Sequence, residues 1–277
     1  KSSMKIRMKR KLAVVLLICI SCHMGWAAQD FVWKSGQNMK VVCDTTEAPV
    51  VKVALDLLKR DCRSVLSGNI SRSENTGNIY VGTWGESSVL QALAETHQLD
   101  VALLNEHKEA FLLNVLPDGR LIVAGSDKRG TAYGVLELSR MMGVSPWEWW
   151  ADAIPEKKEE LRLPAGFRKL DYPQVAYRGI FINDEDWGLT PWSWKHYEPS
   201  ERKGQIGPKT HARIFELLLR LRANTFWPAM HECSIPFFFT EGNKEMADKY
   251  AIYLGTSHCE PMMRNTNGEW KTAGKGE

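Results

Sequence analysis

Residues 177–194 read YRGIFINDEDWGLTPWSW, and the fold class turns on this stretch. An apolar run, Gly179, Ile180, Phe181 and Ile182, has the length of one buried strand and stops at Asn183. Three carboxylates follow without a break (Asp184, Glu185 and Asp186), and then Trp187, Trp192 and Trp194. Ionised carboxylates are expensive to bury unpaired, so this strand end is poor material for a core. It suits a site at the carboxyl end of a parallel strand. The competing reading is that the acids cap the following helix or sit solvated in a turn.

The sequence downstream repeats the pattern. After an expected loop over 188–207, Pro208 stands where a helix starts, with Ile214, Phe215, Leu217, Leu218 and Leu221 on its apolar face. Residues 224–230 (NTFWPAM) form a second short apolar strand ending in His231, Glu232 and Cys233. Asn243 is placed to cap a further helix whose buried stripe includes Met246, Ala247 and Tyr250. Residues 252–255 make a third strand, ending in Ser257, His258, Cys259 and Glu260. Three successive β–α steps each deliver ionisable residues at the strand's carboxyl end. That is the expected opening of a (β/α)8 TIM barrel, whose sites gather on that face.

Upstream, residues 29–170 alternate strand and helix differently. Strands are expected over 39–43 and 78–82, a helix from Pro49 with Val50, Val51, Ala54, Leu57, Leu58 and Cys62 on one stripe, and a weaker helix over 86–97. Residues 111–116 and 120–124 flank Pro117-Asp118-Gly119, a hairpin turn. Gly125 to Gly130 leads into another helix. A phosphate loop needs Lys-Ser/Thr after its second glycine, and Thr131-Ala132 stands there, so these glycines serve a strand-to-helix turn. Trp147, Trp149 and Trp150 either stack on sugar rings or join two domains, and the second role is preferred. Residues 155–164 read as a connector or solvated edge. The expected fold class is thus α/β: a small N-terminal α/β domain with a mixed sheet (29–170), then the first three β/α units of a truncated barrel (171–277).

Residues 1–28 are set apart. Five basic residues in 5–11, an apolar run over 12–20 and Gly25-Trp26-Ala27 describe a secretory signal, with an apolar stretch too short to span a bilayer. Export to the periplasm or outside the cell follows as an expectation, with no other membrane segment. The segment carries six basic residues and no acid, which leaves 30 basic against 33 acidic residues. The basic balance belongs to the leader, and nucleic-acid binding is not expected. Four cysteines remain beyond it, Cys43, Cys62, Cys233 and Cys259, and spacing alone does not rank their pairings.

At the strand ends, Asp184 and Glu185 are candidates for acid–base catalysis or for holding sugar hydroxyls. Trp227 is read as the floor of a sugar subsite in preference to barrel core. His231, His258 and Arg264 are candidates for binding substrate, and Lys195 is a further cation within reach. His231, Cys233, His258 and Cys259 superficially resemble a zinc set. Their spacing matches no closed structural site and adjacent strand positions face opposite ways, so no metal is expected.

Four stretches carry a family likeness: GSDKRGTAYGVLELSRMMGVSPWEWWAD at 125–152, YRGIFINDEDWGLTPW at 177–192, IGPKTHARIFELLLRLRANTFWPAMHE at 206–232 and NKEMADKYAIYLGTSHCEPMMRN at 243–265. With them the chain resembles glycoside hydrolase family 115, the xylan α-1,2-glucuronidases. The resemblance implies removal of α-1,2-linked glucuronic acid or its 4-O-methyl ether from glucuronoxylan or aldouronic acids, with inversion and no cofactor. It matches Asp184, Trp227 and His258 to pocket positions, Glu185 and His231 less closely, and leaves a homodimeric full-length protein open. An inverting pair stands roughly 6.5–9.5 Å apart, so neighbours such as Asp184 and Glu185 are not that pair, and a partner from a later strand is expected. A complete barrel takes roughly 250 residues, so the chain is expected to be an incomplete and inactive fragment. The alternatives are another exported barrel glycosidase with a hexosaminidase-like accessory domain, and a non-catalytic xylan-binding protein.

Overall fold

The computed structural model describes residues 27–96, 98–183, 187–229, 231–257 and 263. The expected leader lies almost wholly outside these residues.

The chain opens with β1 (Phe31–Lys34) and β2 (Asn38–Val42). Helix α1 (Pro49–Leu66) follows, its proline in the first turn, where the missing N–H costs no hydrogen bond. Its buried stripe includes Val51, Leu58, Cys62, Val65 and Leu66, each contributing on the order of 1.5–3 kcal/mol by leaving water. Next come β3 (Asn69–Ser73), β4 (Ile79–Thr83), α2 (Ser88–Glu95) and α3 (Ala102–Glu106). The Ser87 hydroxyl accepts from Leu90 N and so caps α2. The expected hairpin is present as β5 (Phe111–Val115) and β6 (Leu121–Gly125), paired antiparallel across the Pro117–Gly119 turn.

Six strands share one sheet in the order β3-β2-β4-β6-β5-β8, where β8 is Arg168–Asp171. The first four are parallel, and β5 is antiparallel to both β6 and β8. The mixed sheet is as expected. Its central helix is α4 (Lys128–Met141), capped by the Asp127 carboxylate, which accepts from Arg129 N at 2.9 Å and Gly130 N at 3.0 Å. A Cβ on Gly125 would stand 2.1 Å from Thr131 N, and one on Gly130 2.1 Å from Ala110 O. These two glycines allow close strand-to-helix packing, the role read for them in the sequence.

Three further strands, β9 (Gly179–Phe181), β10 (Thr225–Trp227) and β11 (Tyr253–Leu254), form a second sheet, all parallel and in sequential order. Helix α6 (Pro208–Arg220) connects β9 to β10, and α7 (Asn243–Lys249) connects β10 to β11. One hydrophobic core runs under both sheets, from Trp33 and Leu58 through Tyr133 to Phe215 and Phe226.

Several expectations are corrected. Strand β9 is exposed, Ile180 at 39% and Phe181 at 44%, because β10 is its one paired neighbour among the described residues. The stretch 188–207 is not a plain loop: α5 (Leu189–Trp192) runs into a wide helical turn, Ser193–Tyr197. Asn243 does not cap α7. Gly242 holds that position in a left-handed conformation, while the buried Asn243 amide donates to Ile206 O and Phe237 O. Leu221 lies past the end of α6 and is exposed. Residues 155–164 hold β7 (Glu160–Leu163), antiparallel to β1, with Leu161 and Leu163 buried. Strands β1, β3 and β8 were not read from the sequence at all.

Candidate functional site at the strand ends

The three parallel strands end side by side. Phe181 is the register partner of Trp227, and Phe226 pairs with Leu254, which places Gly255 beside Trp227 in the same row. The row is tied by Ile182 N donating to Trp227 O at 2.9 Å and Gly255 N donating to Phe226 O at 3.0 Å. Side chains alternate across a strand, and here the alternation is sharp. Phe226 is fully buried against Phe215, ring centroids 5.3 Å apart, on the face covered by α6. Trp227 therefore projects from the opposite face, where 41% of it is exposed.

Trp227 is where the sequence placed it, at the carboxyl end of β10, with His231 exposed in the turn just beyond. The structure brings Phe181 and Gly255 to Trp227 as well, and sequence reasoning missed both as members of this row. Phe181 meets the indole edge-on, with centroids 5.9 Å apart. The signal that could have found Gly255 is its place one residue past the short strand paired with β10. Asp184 and Glu185 follow Asn183 directly but lie outside the described residues, as do His258, Cys259 and Arg264. Lys195 is exposed, its ammonium 5.1 Å from the Trp194 ring centre.

The segments around the row are pinned. The Glu198 carboxylate accepts from Lys209 N at 3.1 Å and Thr210 N at 2.9 Å, placing negative charge at the start of α6. Ser193 Oγ and Thr210 Oγ1 lie 2.7 Å apart, and Thr190 Oγ1 and Ser234 Oγ 3.2 Å apart. The last contact joins the helix after the acid-bearing segment to the turn after β10. Trp149 and Trp150 take the packing role: Trp150 Nε1 donates to Arg213 O at 3.2 Å, and Trp149 lies edge-on to Tyr197 at 5.2 Å. Trp147 remains 48% exposed.

The amino ends of the same strands are held by charge. Glu109, buried, accepts from Asn224 Nδ2 at 2.8 Å and also from Arg178 and Arg129. Burial would raise its pKa, but the hydrogen bonds from Asn224, Arg178 and Arg129 prevail and hold the carboxyl below its usual range. Arg178 precedes β9, Asn224 precedes β10, and Arg129 reaches Ala251 O and the Tyr253 hydroxyl at β11. One carboxylate thus coordinates the starts of all three strands. On the helical side, Arg220 of α6 donates to both Asp61 oxygens of α1 at 2.8 and 3.0 Å, with both side chains buried.

Cys43 and Cys62 are buried free thiols. Among the described residues, no group of three or more His, Cys, Asp or Glu side chains is arranged to hold a metal ion. No helix among them is long and apolar enough to cross a membrane.

Residues 170–277 match the family model of Glycosyl hydrolase family 115. A solved family GH115 4-O-methyl-α-glucuronidase, BtGH115A, described as specific for decorated arabinogalactans, is 61% identical and superposes with a TM-score of 0.85 over 89% of the chain. The chain belongs to glycosyl hydrolase family 115. It spans 32% of the length of that family 115 enzyme. An overlap of 89% of the chain takes in the six-stranded sheet as well, so the family likeness is not confined to the downstream strands. Two distant structures share the fold alone. CpGH84D is 13% identical with a TM-score of 0.51, covering 83% of this chain and 35% of its own. A mutant Streptomyces plicatus β-hexosaminidase in complex with its product GlcNAc is 12% identical with a TM-score of 0.50, covering 83% and 42%. No curated protein sequence matches the chain.

Proposed function

We propose that this chain is the accessory domain (29–170) and barrel opening (171–277) of an exported family 115 α-glucuronidase. The enzyme removes 4-O-methyl-α-glucuronic acid side chains from a plant polysaccharide. The observation that carries the reading is the 61% identity to a 4-O-methyl-α-glucuronidase over 89% of the chain. Three parallel strands in sequential order, with helices between them, support the barrel.

In this reading the reacting sugar sits on the exposed row Phe181–Trp227 at the carboxyl ends, with the aromatic faces against its C–H surface. Asp184 and Glu185, which follow β9 in the sequence, are the candidate acids. One of them works with a carboxyl from a later strand: one group protonates the glycosidic oxygen while the other activates water on the opposite face, inverting the configuration. His231, His258 and Arg264 supply donors for the uronate carboxylate. No cofactor takes part. The 277-residue chain by itself holds one side of the acid–base machinery and does not hydrolyse substrate.

A decorated arabinogalactan is the favoured substrate, ahead of glucuronoxylan, because the 61%-identical enzyme is described with that specificity. The test is release of 4-O-methylglucuronic acid by the full-length enzyme from both polysaccharides, beside an Asp184→Ala variant. Release by the parent and a loss of at least about a hundredfold in the variant are expected. Binding of either polysaccharide with no release by the parent would leave a carbohydrate-binding protein instead.

A further inference from the structure

Gly255 does not take the positive-φ conformation that favours glycine, unlike Gly204 and Gly242. Positive φ is therefore not what calls for glycine there. What calls for it is Trp227. A Cβ on Gly255 would stand 2.2 Å from the indole Nε1 and 2.6 Å from Cδ1. Those distances are far inside van der Waals contact, and the indole is a rigid plane that yields only by turning as a whole. Its other neighbour in the row is Phe181, edge-on at 5.9 Å on β9. The indole is thus seated with its pyrrole edge on the bare backbone just past β11.

We infer that Gly255 is a positioning residue for substrate recognition, which by lacking a side chain seats the Trp227 indole as the floor of the sugar site. The inference rests on the sugar-floor reading of Trp227 given above. Any side chain at 255 lifts the pyrrole edge and turns the ring toward β9 or out into solvent. Either movement changes the surface on which the uronic acid lies. A floor displaced by about 1 Å weakens binding and misaligns the glycosidic oxygen with its proton donor, and such displacements cost up to roughly a hundredfold in rate. The arrangement assigns recognition to a residue with no functional group of its own.

The test is a double-mutant cycle in the full-length enzyme, with Gly255→Ala, Trp227→Ala and the pair, assayed on a 4-O-methylglucuronic acid-decorated oligosaccharide. Gly255→Ala is expected to lower kcat/KM roughly tenfold to a hundredfold, with KM raised by the weakened binding and kcat lowered by the misalignment. In the Trp227→Ala background the same change is expected to cost less than about twofold, because its partner is gone. Equal losses in both backgrounds, or no loss in the enzyme that keeps Trp227, would overturn the inference. Should Gly255→Ala alone fail to fold, the double variant decides. Folding and activity equal to those of Trp227→Ala identify the indole as what the new Cβ strikes, and failure of the double variant to fold rejects it. Unchanged kcat/KM in Trp227→Ala removes the sugar-floor reading itself and the inference with it, a result legible in that single variant.

Discussion

The side-chain amide of Asn224 lies 2.8 and 3.1 Å from the two carboxylate oxygens of Glu109, joining the residue before β10 to the turn before β5. Glu109 has a left-handed backbone, φ +54°, which costs a non-glycine residue roughly 1–2 kcal/mol. The conformation persists because the carboxylate it aims inward collects Asn224, Arg178 and Arg129 together. The carboxyl ends of β9 to β11 are therefore positioned from their opposite ends by one acid in the turn that leads into the other sheet.

Replacing Glu109 by Gln is expected to destabilise the protein by about 3–5 kcal/mol, since Arg129 and Arg178 are then left largely buried without their counter-charge. Urea unfolding of the full-length protein at neutral pH measures it. A change under about 1 kcal/mol would mean that the guanidinium groups find water or other acceptors.

Glu137 gives an acid-side prediction. Burial would raise its pKa, but hydrogen bonds from Arg140, Lys169 and Arg222 outweigh it and bring the value down to about 2 from 4.5. A depressed carboxyl stabilises the fold above its unfolded pKa and loses that contribution as the pH falls through the folded value. Glu137→Gln is expected to cost up to about 3 kcal/mol at pH 7, an upper bound because Arg140 is half exposed and screened by water. The difference from the parent should shrink between pH 4.5 and 2. Unfolding midpoints across that range check it.

His211 works in a higher window. Burial pushes its pKa down to about 4 from 6.5, against hydrogen bonds to Gly207 and Asn243 that favour charge. Its Nδ1 faces two acceptors, Gly207 O at 3.0 Å and Asn243 Oδ1 at 3.1 Å, so the neutral ring carries its proton there. The unfolded chain takes up a proton below 6.5 that the folded one refuses until 4. Stability is complete above the upper value and declines toward the lower at about 1.4 kcal/mol per pH unit. His211→Gln should flatten that slope in a denaturation series, and an unchanged slope would assign it to other groups.

Gly179 tests the strand pairing beneath the site. A Cβ there would stand 1.7 Å from Thr225 O, its register partner's carbonyl. Gly179→Ala should therefore spread β9 from β10, cost about 1–3 kcal/mol and lower activity of the full-length enzyme. Wild-type stability in this variant would contradict the close approach.

Much of this architecture was legible in the chain. Pro49 and Pro208 marked helix starts, Pro117-Asp118-Gly119 marked the hairpin, and the apolar runs at 179–182 and 224–230 marked two parallel strands. These signals are local, each set by the dihedral limits of one residue or the periodicity of one element. Strand β3, reading NISRS, and β8, reading RKLD, were invisible because edge strands carry polar residues and owe their extended form to the neighbour they pair with. For the same reason the sequence marked Trp227 as an exposed aromatic candidate and passed over Gly255. An aromatic side chain announces itself, whereas a glycine without positive φ matters only through what leans on it. By itself the sequence determined the family, the succession of the three downstream β–α steps and the residue types at each strand end. Only the tertiary structure decided that Glu109 ties three strand starts together and that Phe181, Trp227 and Gly255 form one row. Both depend on register and approach between segments tens of residues apart, which packing sets and no local pattern encodes.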